Sequence, residues 1–427
     1  MLPATTSELQ AVVRLCHRAN VPFVARGHGT GLSGGALPIP DGVLIGLSRL
    51  NRVLEVDIPN LRVTVEPGVT NLQITQSVAA FGCYYAPDPS SQIVCSIGGN
   101  IAENSGGAHC LKYGFTVHHV LGVEAVLPNG DLVHLGGRVL DAPGLDLLAT
   151  IVGSEGTLAI VTKAIVRILR RPEAVVTLLA GFGSIDEAGE AVSTIISSGI
   201  VPAAVEMMDR LTIEAAEAAV HPKFPDTNAV LIVELDGPQG EVDELFGTVE
   251  AICQRAGAST VEIARDDAAR ARIWKGRKAA FAAMGRVSPN YYVQDGVVPR
   301  TRLPGVLRRI RELEARSGLR IGNVFHAGDG NLHPNISFDR RDADLAGRVH
   351  LACREIMAAC VDAGGSITGE HGVGSDKIDY MPLIFDPDTL AAMRAVRLAF
   401  DPEERANPGK VVPVHACREW RATPAGR

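Results

Sequence analysis

An α+β fold in two or three domains is what this sequence predicts, on three observations. Its 427 residues exceed one typical domain. Up to about residue 170, short strand-like runs follow one another with no regular βαβ repeat. Beyond Arg170-Arg171-Pro172, which reads as a boundary, strand and helix patterns alternate.

The first helix is signalled by Thr5-x-x-Glu8, a capping box, ahead of apolar Leu9, Val12, Val13 and Cys16 at helical spacing. A short strand at 22–25 runs into RGHGTGLSGG. Strand-like runs follow at 42–47, 53–57 and 62–65, then a helix at 71–81. A second glycine-rich stretch, CSIGGNIAENSGGAH, reads as a loop. Residues 121–126, 132–135 and 158–169 read as strands. After the boundary, strand 175–181, helix 184–198, strand 228–235 and helix 240–256 suggest a sheet with helices on one face. A helix at 302–317 leads into a hairpin, and another at 342–363 follows it. The tail is helical from about 379 to 400 and then reads DPEERANPGKVVP.

Bulk properties exclude several function classes. Net charge is −7 and aromatics are 4 %, so neither a basic nucleic-acid face nor a base-stacking platform is indicated. No apolar run reaches the length of a membrane span, and MLPATTSELQ lacks the charged and apolar regions of a signal peptide. The eight cysteines are scattered singly with no CxxC. That suits a reducing cytoplasm and argues against an iron–sulfur cluster in this chain.

The hairpin carries chemistry. In NVFHAGDGNLHPNISF, Asp329-Gly330 is a two-residue turn signal that would pair Gly328 with Asn331, Ala327 with Leu332 and His326 with His333. Opposed residues share one face, and Asn335 shares it with His333. Two imidazoles so placed suit one divalent cation. Gly369-Glu370-His371-Gly372 adds a carboxylate as third ligand and a possible base.

Gly29-Thr-Gly31-Leu-Ser-Gly34 matches the dinucleotide fingerprint, but ALPIPDG follows it where a helix is required, so Rossmann binding is rejected. The loop still offers a concave run of backbone N–H groups from Arg26 to Gly31 that suits a pyrophosphate, with hydroxyls from Thr30 and Ser33. SIGGNIAENSGG repeats this logic about seventy residues later. Two such loops suit a long diphosphate cofactor.

PFVARGHGTGLSGGALP, PDPSSQIVCSIGGNIAENSGG, VGSEGTLAIVT, HAGDGNLHP, GEHGVG and NPGK together resemble the FAD-linked D-2-hydroxy acid dehydrogenases, on the branch of the glycolate oxidase flavin subunits and D-lactate dehydrogenases. The resemblance implies a vanillyl-alcohol-oxidase-type flavoprotein. A two-subdomain, PCMH-type FAD-binding domain would span 1–170, short at its N-terminus. An α/β cap domain with an antiparallel sheet would span 171–378. A helical tail, 379–427, would return to the FAD domain. Arg26, Gly27, His28, Gly29, Thr30 and Gly31 would wrap the FAD pyrophosphate. Ser96, Gly98, Gly99, Asn104 and Gly107 would line its other side, with Gly156, Ile160 and Asn407 along the adenine or flavin. His28 stands where the family usually has Gly or Ala. Thr30 stands where relatives with covalent FAD carry histidine, so non-covalent FAD is expected.

The same resemblance implies the chemistry. Arg277 of Trp274-Lys-Gly-Arg277 would bind a substrate carboxylate, a task suited to a guanidinium fork. His326, His333 and Glu370 would hold zinc or manganese. His371 would act as base and Asn335 would face the substrate. The expected activity is oxidation of a small D-2-hydroxy acid, glycolate or D-lactate, with hydride passing to FAD. Electrons would leave through iron–sulfur and second flavin-type partner subunits, in the cytoplasm or at the inner membrane face. The alternatives are a D-2-hydroxyglutarate dehydrogenase and a non-catalytic FAD-binding subunit. A lysine used by the hydroxyglutarate enzymes falls near Val293 here, which favours the shorter acids.

Overall fold

The computed structural model describes residues 1–139 and 143–413. The chain divides into two compact units, one made of 1–106, 114–171 and the segment from Glu370 onward, the other of 107–113 and 172–369. The end of the expected tail, 414–427, lies outside the described residues.

In the first unit, strand Phe23–Arg26 pairs in parallel with Val43–Gly46. Leu9, Val13 and Cys16 of helix Thr6–Ala19 pack with Phe23, Ile45 and Leu47 into one core. Thr5 accepts from the Glu8 amide at 3.1 Å as expected, but Glu8 reaches back to Ala4 N at 2.8 Å instead of Thr5 N. Among the described residues a second core lies on a five-stranded antiparallel sheet, in the order Val53–Asp57, Arg62–Val65, Ile160–Arg167, Val120–Val126, Leu132–Gly136.

Two expectations need correction here. The second glycine-rich stretch is not a loop throughout: Ile97–Glu103 is a helix, capped by Ser96, whose hydroxyl accepts from Gly99 N. Its first-turn glycines permit close packing, since a Cβ on Gly98 would fall 2.7 Å from Pro67 Cβ. The tail is not one helix but a short helix, Met381–Ile384, and a longer one, Pro387–Phe400. The ring of Pro387 cannot continue a helix but suits a first turn, and Asp386 caps it by accepting from Thr389 N.

The second unit centres on a nine-stranded sheet among the described residues. Its path runs Ala258–Ala264, Ala174–Phe182, Ala229–Gly237, Ala204–Asp209, Arg320–His326, Asn331–Leu332, Gly296–Val297, with Pro334–Phe338 and Asn290–Val293 joined to its side. Every pairing is antiparallel. Helices do not sit on one face alone. Ile213 and Ala216 of helix Arg210–Val220, with Ile273 and Ala280 of helix Asp267–Ala283, pack on Leu179, Met208 and Ile232. Helices Ile185–Ser197, Gln239–Arg255 and Leu303–Ser317 form a separate layer. Strand Ala174–Phe182 is correspondingly buried on both sides. Among the described residues no helix is long and apolar enough to cross a membrane.

Candidate functional site

The hairpin register differs from the turn-based expectation by two residues. His326 pairs with Asn331, and Gly322 with Asn335. Four residues, 327–330, therefore make the turn. A two-residue type I′ turn needs positive φ at both centres, and only Gly330 has it, at +80°. Asp329 instead uses Oδ1 to accept from Asn331 N at 3.1 Å, an Asx turn. In the observed register His333 lies diagonal to His326. Aromatic side chains still meet across a diagonal, and the rings do so edge to face with centroids 5.1 Å apart.

Both imidazoles are oriented from behind. His326 Nδ1 donates to Glu206 Oε1 at 2.7 Å, and His333 Nδ1 donates to Gln294 O at 3.3 Å, with Asp295 Oδ1 at 3.7 Å. Carboxylates and carbonyls only accept, so Nδ1 carries the proton in each ring, and in the neutral ring Nε2 is the lone-pair nitrogen. Nitrogens of the two rings lie within 4.8 Å of each other. Two imidazoles at this separation fit a shared divalent cation. Asn335 donates through Nδ2 to His333 O at 2.7 Å, while its buried Oδ1 has no partner among the described residues.

Arg277 reaches this cluster from helix Asp267–Ala283. Residues 270, 274, 277 and 281 recur at spacings of four, three and four, which is one helical face. That face meets the polar end of the sheet. Trp274 Nε1 donates to Glu234 Oε2 at 2.7 Å, and Arg277 Nε donates to Glu206 Oε2 at 2.7 Å, with Nη2 at 2.5 Å. Phe281 packs against His333, ring to ring at 5.6 Å, and under the Arg277 guanidinium. Gly276 lets the helix approach Pro222 and Phe224, which a Cβ would strike at 2.6 Å and 2.5 Å. Arg277 is 2 % exposed and Glu206 0 %. Removing one member of such a pair strands a buried charge, at a cost of about 3–5 kcal/mol.

In the first unit, a cleft enclosing about 590 Å³ of space, open solvent included, is lined by Arg26, Gly27, Gly98, Gly99, Gly156 and Ile160 among others. Its walls combine glycines with apolar side chains such as Leu47, Ile101 and Ile151. A Cβ on Gly27 would overlap Ser96 Oγ, so glycine there keeps the loop against the Ser96 cap. Gly29 holds φ +71°. Asn407 ties two walls together, donating to Gly35 O at 2.8 Å and Glu155 O at 2.6 Å, and its buried Oδ1 has no partner among the described residues. A glycine-rich cleft beside an unpartnered amide oxygen fits a diphosphate cofactor bearing a heteroaromatic ring. His28, Gly29, Thr30 and Gly31 lie on the loop beside the cleft but not among its lining residues. Asn104 ends helix Ile97–Glu103 in the left-handed region and accepts from Val117 N at 2.9 Å. Gly107 begins the short segment grouped with the second unit. Glu370 and His371 belong to the first unit, with Glu370 Oε1 3.9 Å from His371 Nε2.

Four carboxylates of these sites were not singled out from the sequence. Glu206 lies 2.7 Å from His326 Nδ1, and Asp295 3.7 Å from His333 Nδ1. Glu103 and Glu155 line the cleft. Glu155 accepts from Val373 N at 2.7 Å and Gly374 N at 2.9 Å. Burial, then repulsion from Glu155, pushes the Glu103 carboxyl well above the usual range, and burial raises Glu155 as well. A charge inside an apolar strand, as in AAVEMMD, was the available signal for Glu206.

Residues 171–411 match the family described as "FAD linked oxidases, C-terminal domain", and residues 1–136 match "FAD binding domain". The chain is 49 % identical over 424 residues to "Glycolate oxidase subunit GlcD" of Escherichia coli (strain K12), covering 99 % of this chain and 85 % of that one. It is 32 % identical over 417 residues to a "D-lactate dehydrogenase" of Anaerostipes hadrus, covering 95 % and 88 %. Among solved structures, p-cresol methylhydroxylase with substrate bound matches with a TM-score of 0.79 at 17 % identity, over 96 % of this chain and 88 % of that one. The PCMH-type fold expected from the motifs is thereby borne out.

Proposed function

The chain belongs to the FAD-linked oxidases, which makes it an FAD-dependent oxidoreductase acting on the CH–OH group of small hydroxy acids; on that premise we propose that its substrate is a short D-2-hydroxy acid, glycolate or D-lactate, converted to the 2-oxo acid. The observation that carries this reading is the buried cluster of Arg277, His326, His333 and Asn335.

Arg277 would clamp the substrate carboxylate. A guanidinium carries five N–H donors, and one Glu206 oxygen engages only part of the fork. Asn335 Oδ1 would accept from the substrate hydroxyl. His326 and His333 would hold a divalent cation with Glu370 as third ligand, a nitrogen–oxygen set that suits zinc or manganese. A cation so held would supply Lewis acidity at the hydroxyl oxygen. His371 would take the hydroxyl proton as general base. FAD, held non-covalently in the glycine-rich cleft, would supply the hydride acceptor. Val293 lies opposite Asn335 in register. An apolar side chain there suits a short acid better than one with a second carboxylate. The similar chain from Escherichia coli is named as a subunit. A partner subunit, of iron–sulfur or second flavin type, is therefore our reading of where the electrons go. Such a complex would place the chain in the cytoplasm or at the inner membrane face.

The test is an anaerobic panel of 2-hydroxy acids scored for flavin bleaching. Bleaching by D-lactate or glycolate and not by L-lactate supports the proposal. A flavin that no short 2-hydroxy acid bleaches, while a longer diacid does, contradicts it.

A further inference from the structure

Glu206 has no place in the roles assigned above, yet it touches two of the residues that have one. It stands on strand Ala204–Asp209, in register opposite His326. Its carboxylate is fully buried and divides its oxygens. Oε1 takes the His326 Nδ1 proton at 2.7 Å, and Oε2 takes the Arg277 Nε proton at 2.7 Å. We infer that Glu206 is the positioning residue that sets both halves of the site, aiming the cation-facing nitrogen of His326 and fixing the plane of the Arg277 fork. The inference rests on the proposed roles of Arg277 and His326.

The physical argument has two parts. An imidazole whose far nitrogen donates to a carboxylate is locked in one tautomer and ring orientation and becomes a stronger ligand. A guanidinium gripped at Nε and one Nη by a fixed carboxylate loses its rotational freedom before the substrate arrives. One rigid strand residue therefore ties the geometry of the carboxylate clamp to that of the ligand.

The same sheet face supplies a matched control. Glu234 is also buried, at 4 % exposed, and also takes a proton from helix Asp267–Ala283, through Trp274. Its remaining partners are Thr177, His109 and Arg270, which have no role in the proposed chemistry. Glu234 differs from Glu206 in what it orients, not in being a buried carboxylate.

The experiment uses metal-stripped, FAD-loaded protein titrated with Zn²⁺ and, separately, Mn²⁺, alongside steady-state kinetics with glycolate and D-lactate. In Glu206→Gln the cation dissociation constant should rise about 10–100-fold and KM about tenfold, with FAD per chain unchanged. Glu206→Asp keeps the charge but withdraws it by one methylene, so its cation affinity should fall between wild type and Glu206→Gln; it serves alone if the glutamine variant does not fold. Glu234→Gln should bind the cation as wild type does. Wild-type affinity and KM in both Glu206 variants would overturn the inference while leaving the metal reading intact. An equal loss in Glu234→Gln would overturn it too, by showing general loosening of the sheet. A wild-type chain that takes up neither cation would overturn the metal reading and this inference with it.

Discussion

The glycine-rich cleft and the charged cluster are built from different materials. The cleft of the first unit is lined by glycines and apolar residues, with Asn407 fastening its walls. The cluster of the second unit consists of buried side chains: Arg277 from a helix, Glu206 from an inner strand, His326 and His333 from a hairpin. A site that depends on close-packed glycines is broken by adding atoms. A side-chain site is broken by changing charge or reach. The two should therefore fail separately, and variants can be ranked by how completely they do so.

The largest effect is expected from Gly29→Val. Its φ of +71° excludes a branched side chain. Purified protein should carry almost no FAD, measured by absorbance per chain. Retained flavin would mean the loop does not hold the cofactor through its backbone.

Next is His333→Ala, which leaves the cleft untouched. FAD content should match wild type while substrate-driven flavin reduction falls about 10²-fold or more, as for loss of a group that positions charge in the transition state. Reduction at the wild-type rate would remove the histidine pair from the chemistry.

A smaller loss is expected from Arg277→Lys. The charge stays but the fork is lost, so kcat/KM should fall at least about tenfold, equivalent to about 1.4 kcal/mol, with FAD bound. Unchanged kinetics on every acid would leave Arg277 as a purely structural partner of Glu206.

The smallest effect sharpens the comparison from the cleft side, where one buried charge does matter. Glu103 is raised by burial and then by Glu155, against the pull of Lys377 and Lys410. Between the ordinary glutamate range and that raised value, the folded chain binds a proton the unfolded chain does not. Stability should therefore fall as pH rises through this window. Glu103→Gln should flatten the fall, at about 2–4 °C in Tm for each kcal/mol recovered. An identical pH profile in wild type and variant would show that Glu103 is ionised throughout.

The contrast also explains what could be read from the sequence. Glycine-rich sites leave short, contiguous signatures: Arg26 and Gly27 of RGHGTG and Gly98 and Gly99 of SIGGN line the cleft. The helix at Ile97–Glu103 was hidden because Gly98 and Gly99 read as loop residues, whereas Gly98 lets the first turn pack on Pro67. Side-chain sites draw on distant segments. The HAGDGNLHP motif named both histidines, but turn chemistry alone mis-set their register, because Asp329 makes an Asx turn. Strand Ala204–Asp209 went unread because a strand buried on both faces shows no alternation. Glu206 went unread with it, and only the sheet pairing places it against His326.

The most direct test of the account is anaerobic flavin reduction by D-lactate in FAD-replete protein, before and after chelation, with cation content measured per flavin. We expect rapid bleaching with about one divalent cation per flavin, loss of bleaching when the cation is stripped, and recovery on adding zinc or manganese. Full-rate bleaching in cation-free protein would contradict the account: His326 and His333 would then be hydrogen-bonding groups alone.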